Sequence, residues 1–375
     1  MLFCALLAAV SLLAGCENDT GRPVPGFCED FSFQLRGGGS FRGDLVALPG
    51  TRFAAVLGYP TSASLTAIDL ADRRIDTTLA VPEAASLKLG ARPTGASRLF
   101  IVYTTPPPAR NGLAEAELET PSIIRRRDYP GALNTDTVRG AAYDPSRQKI
   151  YLSVNAANQL YHGLLAVDAH TLDLLDLDLA TAVDRIALSN AHYTGSFQAP
   201  GDIAFDRIGD VIIVTNGGSQ AVTFVAAGLL VSPHDPGAPQ PALPRIDVGG
   251  TPYAVDVDQE LRVAVVSVQG TGIPIVHRVV VIDLITRTIR DDWDITHWGT
   301  PEPGEISVVP GTGWVAVAAG VEDAGVRLID WRTGNLVVNQ TGIEGRAWVD
   351  VAPAYNLGIG VNRSHDLFVG YCLER

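Results

Sequence analysis

The residues best placed to do chemistry in this chain are charged side chains that recur where short apolar runs begin. Arg139, Asp202, Glu305 and Arg346 each stand at such a start. If those runs line one channel, the four side chains converge at its mouth. Acids and cations gathered there could act as general acid and base in a hydrolysis. A second set lies in the polar stretches between runs: Arg126, Tyr129, His192, Tyr193, Asp294, His297 and Trp298. Aromatic and charged residues on loops of a rigid scaffold suit ligand binding. Asp256 with Asp258, and Asp291 with Asp292 and Asp294, could offer oxygens to a cation. Turn chemistry explains these acids as well, so no metal is expected.

Dedicated catalytic motifs are missing from the sequence. Its 7 histidines show no His-x-x-x-His or His-Glu-x-x-His spacing. There is no Cys-x-x-Cys-His for haem and no Gly-x-Ser-x-Gly elbow. Gly37-Gly38-Gly39-Ser40 lacks the lysine and helix of a phosphate loop. No cofactor is therefore expected. A net charge of -13 with only two lysines, Lys88 and Lys149, repels phosphate backbones and excludes nucleic acid as a natural partner.

The cysteines carry the address. Leu2 to Leu13 is an apolar run of signal-peptide length, too short to span a bilayer as a helix. It ends in Leu13-Ala14-Gly15-Cys16, which resembles the lipobox of bacterial lipoproteins. The resemblance implies acylation of Cys16, a signal peptide over 1–15, a polar tether over 16–27 and a membrane anchor at the cell envelope. Glu17 follows the cysteine where lipoproteins retained at the inner membrane of some bacteria carry aspartate, so the resemblance favours the outer membrane and leaves the inner one open. Export places the rest of the chain in an oxidising compartment. Cys4 leaves with the signal, so Cys28 and Cys372 are expected to form a disulfide.

The elements that must position these groups repeat. Pro200-Gly201-Asp202-Ile203-Ala204-Phe205-Asp206 is followed by Val211-Ile212-Ile213-Val214-Thr215-Asn216. Thr251 to Asp256 with Val263 to Ser267, Arg139 to Asp144 with Ile150 to Val154, and Pro303 to Val308 with Trp314 to Val317 repeat the design. Each unit later shows an apolar strand ending in aspartate: Asp69, Asp168, Asp283 and Asp330. These aspartates are expected to bond turn amides and are not expected to act as acids. Four strands at a period of about 45 residues describe a propeller blade. The pattern resembles the YVTN-type repeats of WD40-like bacterial surface propellers, Val214-Thr215-Asn216-Gly217 coming closest.

The fold class expected is all-β: a β-propeller of about seven four-stranded antiparallel blades forming one domain over 28–375. Blade starts fall near Asp44, Pro93, Gly140, Gly201, Pro252, Gly304 and Arg346. The last unit has only three strands, and Phe31 to Leu35 is an orphan at the other end, so the N-terminal strand should close the ring. Long insertions, Thr105 to Thr137, Asp184 to Ala199, Leu229 to Arg245 and Asp291 to Pro303, are expected after fourth strands, all on one face. The function expected is a non-catalytic binding or scaffolding module of the envelope, a monomer whose protein or small-molecule ligand the sequence does not identify. The alternatives are a lactonase-like propeller hydrolase with its site at the channel mouth, and a propeller subunit of a periplasmic redox complex.

Overall fold

A strand that exposes one edge to solvent and carries apolar residues on both faces must be covered by neighbours on both sides. Wrapping such sheets into a ring achieves this. The computed structural model describes residues 26–374 except 36–43, 59–60, 62, 85, 92–96, 106–110, 130–136, 176–187, 232–240, 299–301, 321–324, 342–346 and 363–366. Its strands, numbered β1–β28 in chain order, form seven four-stranded antiparallel sheets. The chain is a seven-bladed β-propeller.

The first strand of each blade lies innermost. These are β2 (Leu45–Ala47), β6 (Ser86–Ala91), β10 (Thr137–Asp144), β14 (Pro200–Asp206), β18 (Thr251–Asp258), β22 (Glu302–Val309) and β26 (Ala347–Ala352). Blades 1 to 6 run outward in sequence order. Blade 7 takes β26, β27 (Leu357–Asn362) and β28 (Leu367–Glu374) from the C-terminus and β1 (Gly26–Gln34) from the N-terminus. The register places Cys28 opposite Cys372. Each of the seven blade junctions has its own apolar cluster, including the closing one, where Leu45, Ala54, Val56 and Ile68 of blade 1 meet Leu357, Ile359, Val361 and Phe368 of blade 7. The ring is therefore packed at its seam as it is elsewhere.

Hairpin turns are set by the recurrent aspartates. Asp69 accepts from the Ala71 and Asp72 amides, Asp168 from His170 and Thr171, and Asp283 from Ile285 and Thr286. The residue that closes such turns is left-handed, as at Asp210 (φ 55) and Arg262 (φ 58). Among residues other than glycine, Asn and Asp tolerate that region best. At Arg262, in blade 5, the side chain offsets the conformation by reaching the Asp206 carboxylate of the preceding blade, 4, at 2.6 Å.

The expected blade boundaries hold except in blade 2. Its inner strand is Ser86–Ala91, ahead of Pro93, which lies outside the described residues. Thr105 to Thr137 is not an insertion: it carries β8 (Asn111–Glu117) and β9 (Ser122–Tyr129), the third and fourth strands of that blade. Leu229 to Arg245 runs between the third and fourth strands of blade 4, β16 (Ala221–Ala226) and β17 (Arg245–Asp247), not after the fourth. In blade 3, β12 (Gly163–Asp168) is likewise separated by a long connection from a two-residue outer strand, β13 (Leu188–Ser189), which falls inside the expected insertion. Asp291 to Asp294 belong to the outer strand β21 (Thr288–Asp294), and Glu302 and Pro303 to β22. Because strands alternate, first-to-second and third-to-fourth connections share one end of the ring, here the turn face. Second-to-third loops and blade-to-blade crossovers share the other, the crossover face. Long connections thus occur at both ends rather than on one.

Candidate functional site

Inner strands enter the ring from the crossover face and expose one backbone edge to the channel. Their N–H groups need partners there, and carboxylates supply them. Asp202 Oδ1 accepts from the next amide along its own strand, Ile203, at 2.8 Å, and Oδ2 from Val255 of blade 5 at 2.9 Å. Asp256 repeats this, accepting from Val257 at 2.8 Å and from Val308 of blade 6 at 2.9 Å. Asp350 takes Val351 at 2.8 Å and Ala47 of blade 1 at 2.7 Å, and also the Ser307 hydroxyl at 2.9 Å. Each acid is a clasp from one blade to the next.

Glu305 breaks the pattern. It occupies the place in blade 6 that Asp202 holds in blade 4, four residues before the end of the inner strand. It makes no hydrogen bond or ion pair with the described residues. Asp44, just ahead of β2, holds the same place in blade 1. These three acids and their neighbours act on one another across the channel. Burial raises the Asp202 carboxyl, the Val255 and Ile203 amides oppose this, and Asp44 and Asp256 add to it, so that it is pushed up to about 7. Burial raises Glu305 well above the usual carboxylate range, with Asp202, Asp44 and Asp350 adding to the effect. Both side chains keep some solvent contact while the ring surrounds them. Among the described residues no cation offsets these acids, so the mouth they form is acidic.

Of the four expected mouth residues, Asp202 and Glu305 come together. Arg139 is exposed at the start of β10, and Arg346 lies outside the described residues. Asp44 joins the group; nothing but its place at a blade start marks it in the sequence. Asp258 is consumed by the amides of Glu260, Leu261 and, across the junction, Gly311. Among the described residues no three His, Cys, Asp or Glu side chains are grouped so as to hold a metal ion.

The expected loop residues scatter. Arg126 lies on the outer strand β9 and pairs with Glu83 and the Pro82 carbonyl. Tyr129 ends that strand buried, its hydroxyl donating to the Leu172 carbonyl of blade 3 at 2.9 Å, and burial raises its pKa far out of range. Both serve junctions of the ring in this structure. His192 is buried, and its Nδ1 accepts from the Ser189 amide at 3.1 Å. Tyr193 packs against the core between blades 3 and 4. Asp294 and His297 are exposed together at a short turn that also contains Trp298, and the Thr296 hydroxyl and amide, with His297 close by, hold the Asp294 carboxyl low. Only this last group remains a surface of the kind expected.

No protein-family model matches the sequence, and no curated protein is significantly similar to it. Solved structures share its architecture. The β-propeller domain of Myceliophteria thermophila Cps50 (Swd1) superposes with a TM-score of 0.64 at 9% identity, covering 92% of this chain and 99% of its own. A chain of Kuenenia stuttgartiensis hydrazine synthase does so with 0.64 at 11% identity, covering 92% and 98%. A chain of the mitotic checkpoint complex gives 0.62 at 10% identity, covering 93% and 92%. Likeness at such identities is likeness of fold.

Proposed function

We propose that this chain is a non-catalytic binding or scaffolding propeller of the cell envelope, exported and held there by a lipid on Cys16. One observation carries the binding half of the reading. In a ring whose channel acids otherwise clasp neighbouring blades, Glu305 finds no bond among the described residues, beside Asp202 and Asp44. Structural economy gives no reason for an unpaired carboxylate at that place, whereas a cationic ligand group does.

The address half rests on the sequence. Its geometry would work as follows. β1 runs opposite to β28, so Gly26 pairs with Glu374 at the turn face. A lipid on Cys16 would pull on that face through a tether of at most about 3.5 Å per residue. The turn face would then lie toward the membrane and the channel mouth away from it. Cys28 and Cys372 would bond beside the point of attachment, since residues directly opposite in an antiparallel pair have Cα atoms about 4.5–5.5 Å apart, within disulfide range. The test is metabolic labelling with a fatty acid and membrane fractionation. The full chain should carry label and sediment with membranes, and Cys16→Ser should lose both. Label on the variant, or none on either, refutes the anchor.

A second reading is favoured by the same acids. A carboxyl titrating near neutrality beside another acid could serve as general acid in a lactonase-like hydrolase. Lactone and ester hydrolysis by the full chain that disappears in Asp202→Asn would establish it and displace the non-catalytic reading.

A further inference from the structure

The loop between the second and third strands of blade 5 presents an apolar tip to solvent on the crossover face. Ile273 is 102% exposed and Ile275 54%, with Pro274 exposed between them. The other exposed large apolar side chains among the described residues are at least four residues apart in the sequence. The base of the loop is held. Gly270 donates to His277 Nδ1, the His277 amide donates to Thr296, and Gln220 reaches Thr271 from blade 4. A Cβ on Gly270 would lie 2.5 Å from the Val276 carbonyl oxygen, so the two arms of the loop touch. The tip is thus offered on a fixed stalk, which reduces the ordering cost of binding.

Two further features share this end of the ring. Tyr253, 42% exposed, stands at the entry of β18 in the same blade. Asp202 and Glu305 belong to the inner strands of the blades on either side, 4 and 6. The crossover end of blade 5 therefore carries an apolar prominence and an aromatic step, and the blades that flank it bring the acids to the channel mouth. We propose that this surface docks an extended peptide segment of another protein, with a Lys or Arg side chain in the mouth against Glu305 and apolar residues beside it on Ile273 and Ile275. The proposal rests on the binding-module reading above and names its partner class. Charge complementarity decides the occupant: the chain carries -13, so a basic peptide is attracted where an anionic bilayer is repelled.

The experiment is selection of a random peptide library on the purified full chain, followed by anisotropy titration of the enriched peptides. Variants are Ile273→Ser with Ile275→Ser, Glu305→Gln, and Ile285→Ser on the turn face as control. Enriched sequences should join Arg or Lys to apolar residues. Their affinity should fall about tenfold or more in each of the first two variants and stay unchanged in the control. Melting curves check that every variant is folded. Enrichment of peptides without basic residues, peptides weakened only by the control, or no enrichment overturns the proposal; peptides that bind elsewhere leave the broader binding reading intact. Ile273-dependent binding of Cys16→Ser chain to phosphatidylcholine or phosphatidylglycerol vesicles would assign the tip to a bilayer and overturn it as well.

Discussion

Glu305→Gln should stabilise this protein above neutral pH and change little below pH 5. Asp202 is held at about 7 in the folded chain against an ordinary 3.8, so the folded protein binds its proton more tightly than the unfolded chain does. The favourable contribution of such a group is whole below its unfolded pKa and is lost as pH rises through the folded one. Between pH 4 and 8 the mouth should therefore cost the wild type ~2–4 kcal/mol, from about 1.4 kcal/mol per pKa unit with a discount for solvent in the channel. Gln keeps the shape of Glu305 and removes the charge that opposes Asp202. We expect a gain of about 2 kcal/mol at pH 8, roughly 3 °C in Tm from the usual per-residue unfolding entropy, and almost none at pH 5, where Asp202, pushed up to about 7, is protonated and has no charge for Glu305 to oppose. Calorimetry at the two pH values reads this directly. A variant less stable than wild type at pH 8, or a gain that does not shrink on acidification, would show that Glu305 has a counter-charge and that the mouth is not a like-charge site.

Asp350→Ala removes the clasp between blades 7 and 1 and leaves the Ala47 amide buried without its acceptor; a loss of ~3–5 kcal/mol is expected by denaturant unfolding, and a loss under ~1 would argue that closure does not depend on it. Asp168 moves the opposite way from Asp202. Burial raises it, but Lys149 and the His170 and Thr171 amides hold it down to about 2, so its contribution is present above its unfolded pKa and lost as pH falls through 2; Lys149→Met should raise the midpoint of acid unfolding. If Cys28 and Cys372 are bonded, thiol alkylation of the folded oxidised chain leaves both unmodified, and Cys372→Ser lowers stability by about 5 kcal/mol, the entropy of a loop nearly as long as the domain.

The ring was legible because its second and third strands, buried on both faces, read as runs such as Val211–Asn216 and Val263–Gln269 closed by aspartate turns. Outer strands were not. A strand paired on one edge and wet on one face keeps charged residues, so Ser122–Tyr129, with three consecutive arginines, and Thr288–Asp294, with three aspartates, look like loops. Blade 2 slipped for a related reason: Ser86–Ala91 is broken by Lys88 and Gly90, while Arg98–Thr104 behind it has the apolar run expected of an opener. Asp202 and Glu305 stood out as charges inside apolar inner strands. Asp44 did not, because β2 after it is only three residues long. The Ile273 tip was hidden by its own composition, since an apolar run predicts burial and nothing local distinguishes a loop that projects.

Site-specific photo-crosslinking in the cells that make this protein tests the central claim most directly, with a photoreactive residue at position 273 on the crossover face or at position 285 on the turn face. The account predicts one discrete protein adduct from 273 that disappears when Glu305→Gln is added, and no such adduct from 285. An adduct from 285 alone, or one from 273 indifferent to Glu305, would contradict it.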